Sequence, residues 1–148
     1  MSSSYSTASV VSDNNVGGLV GENGGDGTVS NCYSSGDVIS YDNVAGGLVG
    51  GNYGTVSNSY STGSVTGSSQ VGGLVGVGTG SNSFWDTQTS GQATSDGGTG
   101  KTTAEMKNIT TFSGAGWNII AVGLNETDSV YVWNIVDGVT YPFLSWQP

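Results

Sequence analysis

Two short blocks recur in this chain, and a chain built on a recurring block is confined to architectures that stack one unit on the next. VSNCYSSGDV at Val29–Val38 returns as VSNSYSTGSV at Val56–Val65, and a shortened SYSTASV begins at Ser4. Between these copies, VGGLVGEN at Val16–Asn23 returns as AGGLVGGN at Ala45–Asn52 and VGGLVGVG at Val71–Gly78. Tyr5, Tyr33, Tyr60 and Phe84 follow one another at spacings of 28, 27 and 24 residues, the length of one solenoid coil. The chain holds 27 Gly among 148 residues, and Gly, Ser, Thr and Asn all disfavour helix interiors. Strands and turns are therefore expected to carry the fold, and the β-branched valines give them apolar surface to bury.

The expected fold is all-β: a β-solenoid, parallel β-helix-like, of about three coils, with a C-terminal mixed cap containing one short helix. Within T-V-S-N-S-Y-S, alternation sends Val56, Asn58 and Tyr60 to one face and Ser57, Ser59 and Ser61 to the other. The bulkier set is expected inside. Stacking then predicts an aromatic ladder of Tyr5, Tyr33, Tyr60 and Phe84, and an amide ladder of Asn31, Asn58 and Asn82 bonding successive coils. The glycine pairs of GGLVG suit either a corner with positive φ or a close approach of two backbones. In the strand that follows, either Val20, Val49 and Val75 or Leu19, Leu48 and Leu74 face the core; leucines facing out would form an apolar stripe. Asn23 and Asn52 have Gly78 at the third position and lose their partner there.

The pattern G-G-L-V-G-x-N-x-G-x-V-S-N-x-Y-S-x-G-x-V, from Ser4 to Asn82, resembles the GLUG repeat, found in tandem in large bacterial and archaeal surface or secreted proteins, some of them adhesins or secreted peptidases. The continuation SFWDTQTSGQATSDGGTGKTTAEMKNITTF and the later DGVTYPFLSWQ are similar to the segment that closes such arrays. The resemblance implies a scaffold, with no catalytic residue to carry over.

All four tryptophans, Trp85, Trp117, Trp133 and Trp146, follow Asn82, so the domain division is expected at residues 1–82 for the repeat solenoid and 83–148 for a capping segment packed on the last coil. The tryptophans are expected to fill the apolar floor under that coil. Thr102 followed by Glu105 has capping-box spacing and predicts a helix of about two turns. Val130–Val136 reads as a strand, and Asp137-Gly138 as a turn leading to a second strand at Thr140–Leu144.

With 11 acidic residues, two lysines and no histidine, the net charge of −9 repels nucleic acid and anionic membranes, and no histidine-based nucleophile or zinc site is available. Cys32 stands where the other copies have Ser4 and Ser59 and reads as a small spacer. SDGGTGKT, Ser95–Thr102, imitates a phosphate loop but has Ser95 in place of the first glycine. Gly24-Gly25-Asp26-Gly27 reads as a tight turn. Asp13, Asp37, Asp42 and Asp86 lie at turns or coil ends, where a peripheral calcium ion is the one cofactor to consider; no resident metal or other cofactor is expected. Asn108-Ile109-Thr110 and Asn125-Glu126-Thr127 match the N-glycosylation pattern, which a chain rich in Asn and Thr contains by chance.

The expected function is that of a non-catalytic structural or adhesive module of an exported, extracellular or cell-surface protein, whose export signal lies in a longer parent. The alternatives are an ice-binding or carbohydrate-binding solenoid surface. Ser30, Ser34, Ser57, Ser59 and Ser61, with Ser4 and Ser6 above, form the candidate exposed binding face. Expected partners are further repeats or domains of the parent, cell-surface or matrix molecules, or a second copy meeting the uncapped N-terminal coil; nucleic acid and direct membrane insertion are not expected.

Overall fold

The computed structural model describes residues 1–147. Contacts divide the chain into two compact units, the first Met1–Lys101 and the second beginning at Thr102. The first unit is a parallel β-solenoid of about three turns. Its first coil carries β1 (Tyr5–Ser6), β2 (Val10–Ser12), β3 (Val16–Gly17) and β4 (Val20–Asn23). The second carries β5 (Thr28–Ser30), β6 (Tyr33–Ser34), β7 (Val38–Ser40), β8 (Ala45–Gly46) and β9 (Val49–Asn52). The third repeats that order in β10 (Thr55–Ser57), β11 (Tyr60–Ser61), β12 (Val65–Thr66), β13 (Val71–Gly72) and β14 (Val75–Gly78). Equivalent strands pair in parallel and in register: Tyr5, Tyr33 and Tyr60 align, as do Val10, Val38 and Val65, and Val20, Val49 and Val75.

The ladder does not stop at residue 82. β15 (Phe84–Asp86) pairs with β11, and β16 (Thr99–Lys101) pairs with β15, so a partial fourth coil, interrupted by the short helix α1 (Thr87–Ser90), belongs to the solenoid. The boundary expected at 82/83 thus lies close to residue 101. The composition shift at Asn82 marks the loss of the repeat motif, while main-chain pairing, which needs no motif, continues.

Two apolar clusters fill the coils. One joins Val29, Cys32, Leu48, Val49, Val56, Leu74, Val75 and Trp85; the other joins Val16, Val38, Ala45 and Val65. Both the leucine and the valine of GGLVG are inside, because the chain bends between the glycines and the next strand and so aims two consecutive side chains at the core. Each such residue contributes about 2 kcal/mol by burial. The glycines adopt no positive φ here; they serve close approach. A β-carbon on Gly46 would lie 1.9 Å from the Val49 carbonyl oxygen, and one on Gly47 would lie 2.7 Å from Ser61 Oγ.

The second unit has two short helices, α2 (Thr103–Met106) and α3 (Ile109–Ser113), and a mixed sheet of β17 (Ile119–Ala121), β18 (Trp133–Ile135) and β19 (Phe143–Leu144). The predicted capping box starts α2: Thr102 Oγ1 accepts from Glu105 N, and Glu105 Oε2 accepts from Thr102 N at 2.8 Å. α3 is an addition to the expectation, capped by Asn108, whose Oδ1 accepts from Thr110 N at 2.9 Å. The two expected strands exist in shortened form, antiparallel to each other, and β17 runs parallel to β18. Of the four tryptophans only Trp85 packs in the solenoid core. Phe112, Trp117 and Trp133 form a run of rings 4.8 and 4.9 Å apart in the second unit, and Trp146 is exposed.

Candidate functional surface

The expected face of serines does not face solvent. Ser34, Ser59 and Ser61 are buried, and Ser30 and Ser57 are half-buried. Asn31, Asn58 and Asn82 cause the inversion: all three take left-handed φ, 52°, 46° and 47°, so each makes a corner and the alternation restarts after it. The serines then turn inward and the tyrosines take the opposite side of the strand, where Tyr33 stacks on Tyr5 at 5.1 Å and on Tyr60 at 5.0 Å between ring centroids. Tyr33 and Tyr60 are buried, and Tyr5, at the end of the column, is 36 % exposed.

The inward hydroxyls of Ser59, Ser61 and Ser83 are structural. Ser59 Oγ accepts from Cys32 N at 3.0 Å and donates to Ser57 O at 2.7 Å; Ser83 repeats this one coil on, accepting from Ser59 N and donating to Ser81 O. Cys32 holds the same station, its thiol donating to Ser30 O at 3.1 Å. Burial raises the Cys32 pKa, and a hydrogen bond from the Ser4 main chain opposes that only in part. A buried neutral thiol is a poor nucleophile. Reaction with an aromatic disulfide reagent is therefore expected only as fast as the solenoid opens, and Cys32→Ser is expected to fold with nearly unchanged stability; rapid labelling of the native chain would contradict this role.

An amide bond between coils joins Asn23 and Asn52. Asn23 Nδ2 donates to Asn52 Oδ1 at 2.8 Å, and Asn52 Nδ2, having no side-chain amide at Gly78, donates to Thr79 O at 2.5 Å. Both asparagines are buried.

The last coil is closed by main-chain bonds from Gly73 N to Thr94 O and from Asp96 N to Val75 O, and by side chains. Thr89 Oγ1 donates to Thr62 O, Gln92 Nε2 to Val65 O, Ser95 Oγ accepts from Val75 N, and Asp96 Oδ2 accepts from Gly78 N, at 2.6 to 2.9 Å. These groups take the place of some of the rungs that a complete fourth coil would supply. Ser95 and Asp96 of SDGGTGKT are thus committed to this edge, and Lys101 ends β16. Gly27 N donates to Gly24 O at 2.8 Å, which makes Gly24-Gly25-Asp26-Gly27 the tight turn expected.

The carboxylates also serve the frame. Buried Asp86 caps α1 through Gln88 N and Thr89 N. Asp37 Oδ1 accepts from Ser64 N of the next coil, and the Ser64 hydroxyl and amide together hold its carboxyl below the usual range. A depressed folded pKa adds stability above the unfolded pKa of about 3.9, and that contribution disappears as pH falls through the folded value. The stability difference between wild type and Asp37→Asn should accordingly be present at pH 6 and shrink steadily as pH falls below about 4 in urea titrations; a difference independent of pH across that range would exclude the carboxylate as its source. Asp13 and Asp42 lie exposed in turns, and among the described residues no three His, Cys, Asp or Glu side chains converge to hold a metal ion.

In the second unit a surface depression of about 570 Å³ is lined by Ile120–Gly123 and Glu126–Ser129. Its two carboxylates are bonded to their own loop, Glu126 Oε2 to Gly123 N and Asp128 Oδ1 to Val130 N.

Two stretches, residues 12–39 and 42–66, match the GLUG motif. The chain is 36 % identical over 120 residues to a protein of Evansella cellulosilytica named as a Gly-rich membrane protein; the match covers 76 % of this chain and 11 % of that much longer relative. No solved structure matches.

Proposed function

This chain belongs to the GLUG-repeat family, and from that premise we propose that it is a non-catalytic structural module of an exported surface protein, holding neighbouring repeats or domains of its parent at fixed spacing and presenting them to cell-surface or matrix partners. The observation that carries the reading is the use of polar side chains. Ser59, Ser83, Asn23, Asn52, Asp37, Asp86 and Ser95 all spend their hydrogen bonds on the main chain or side chains of the solenoid itself. A surface built this way gains rigidity and leaves few groups for acid–base or nucleophilic work. The name of the Evansella relative supports a place at the cell envelope. No cofactor takes part in this role, and chelation with EDTA should leave the thermal midpoint unchanged.

Two measurements test it. Brief proteinase K treatment of intact source cells should remove the epitope of an antibody raised against this chain, and an epitope retained until lysis would overturn the surface assignment. Incubation with polysaccharide and peptide panels should release no product; release that is lost on thermal unfolding of the purified chain would overturn the non-catalytic assignment.

A further inference from the structure

We propose that Tyr53, with Glu22 and Asn15 beside it, is a binding site for an uncharged polysaccharide on the flank of the solenoid, between its first and second coils. The register of β4, β9 and β14 aligns Glu22, Gly51 and Val77. Gly51 leaves that column without a side chain, and three neighbours close over the gap. From the point where a β-carbon at 51 would lie, Asn15 Nδ2 is 3.4 Å away, Tyr53 Cε2 3.5 Å and Glu22 Cγ 3.9 Å. The glycine beneath them is buried, while Tyr53 itself is 61 % exposed. The ring is thus seated at one edge and open to solvent over most of its surface. Its main chain is tied to the first coil through Tyr53 N to Asn23 O at 2.9 Å. The site lies on the side of the stack and does not depend on either end being free.

A ring seated before its ligand arrives loses little freedom on binding. An open aromatic face packs against the C–H groups of a pyranose, and polar groups at its rim then fix the sugar's hydroxyls. Asn15 Nδ2 donates to Glu22 Oε2 at 3.3 Å, which joins amide and carboxylate in one rim. Among the described residues, Tyr53 Oη, Asn15 Oδ1 and Glu22 Oε1 make no bond to the chain, unlike Ser59, Asn23 and Asn52, whose polar atoms the solenoid uses. The serine face expected from alternation is buried at Ser34, Ser59 and Ser61 and takes no part. The net charge of −9 and the Glu22 carboxylate oppose an acidic glycan, which selects a neutral one. A lysine-rich peptide is the rival, since an ammonium also suits an aromatic face beside a carboxylate. It offers donors only, whereas Tyr53 Oη and the second N–H of Asn15 call for an acceptor as well, and a sugar hydroxyl is both.

The full chain is titrated with cellohexaose, mannohexaose and chitohexaose, and with hexagalacturonate and trilysine for comparison. Calorimetry up to about 10 mM ligand covers the range in which one stacking contact and a few hydrogen bonds bind. The expected result is saturable binding of at least one neutral hexasaccharide, and none of hexagalacturonate or trilysine. Tyr53→Ala should raise the dissociation constant about tenfold or more, and Tyr53→Phe, which keeps the ring and loses Oη, less than about threefold. Trp146→Ala removes a 58 % exposed aromatic from the second unit and should leave binding unchanged. No saturation by any neutral hexasaccharide, tighter binding of trilysine or hexagalacturonate, or binding indifferent to Tyr53→Ala would each overturn the proposal. So would a loss through Trp146→Ala. None of these outcomes bears on the scaffold assignment, which the protease and product-release measurements decide.

Discussion

Gly46→Ala is expected to destabilise the solenoid by about 3 kcal/mol or more, a very large effect for one methyl group. The added carbon would sit 1.9 Å from Val49 O and 2.7 Å from Gly76 N, and both are main-chain atoms held in the parallel ladder. No flexible side chain can move away; the arch formed by β8 and β9 must open, and the third coil, which rests on it through Leu48 N to Leu74 O at 2.9 Å, must shift with it. The residue has no positive φ, so the cost is one of space and not of backbone preference. Gly25→Ala is the matched control. A β-carbon there meets nothing within 4 Å, and loss of chain entropy in the unfolded state should make that variant neutral or more stable by up to about 1 kcal/mol. Urea unfolding followed by far-ultraviolet circular dichroism separates the two; similar midpoints for both variants would refute the close-approach explanation of the GGLVG motif.

The contrast between these two glycines also shows what kind of information the sequence carried. The coil order and its register were legible, because GGLVG and VSNxYS recur and in-register stacking is the arrangement that buries every copy alike. The direction in which side chains point was not. Asn58 is compatible with an uninterrupted strand or with a left-handed corner, and both use the same letter; only the dihedral angle decides, and it reverses the faces of Ser59, Tyr60 and Ser61 together. Ser59 and Cys32 at one station could be recognised as equivalent from spacing alone, yet their role as bridges between coils depends on that reversal. The closing edge was least legible. Thr89, Gln92, Ser95 and Asp96 have no counterparts in the coils, since their side chains add to the main-chain bonds of Thr94 and Asp96 where the regular rungs that periodicity describes run out. Their signature is the end of the repeat, not a pattern of their own.

The same limit applies to Gly78, and there it gives a prediction opposite in sign to the one the repeat suggests. Asn23 and Asn52 occupy the equivalent positions in the first two coils, so repeat logic makes Gly78→Asn a consensus substitution, a class that commonly adds about 0.5 to 2 kcal/mol. At this position it should instead cost about 3 kcal/mol or more. Gly78 has φ +110°, beyond the left-handed region that asparagine tolerates, and its β-carbon would lie 1.9 Å from Asn52 O. The hydrogen bond that the new amide is meant to complete is already made, since Asn52 Nδ2 donates to Thr79 O at 2.5 Å and to Gly54 O at 3.3 Å. Gly78 N meanwhile donates to Asp96 Oδ2 at 2.7 Å, which ties the third coil to the closing segment, and a shift large enough to admit a side chain breaks that bond as well. The third coil is therefore the place where the repeat is modified to stop: it exchanges an inter-coil amide for a main-chain turn that receives Asp96. The sign of the stability change decides between the two accounts. A Gly78→Asn variant that unfolds at higher urea than wild type would mean that the third coil is an ordinary repeat and that Asp96 closes nothing.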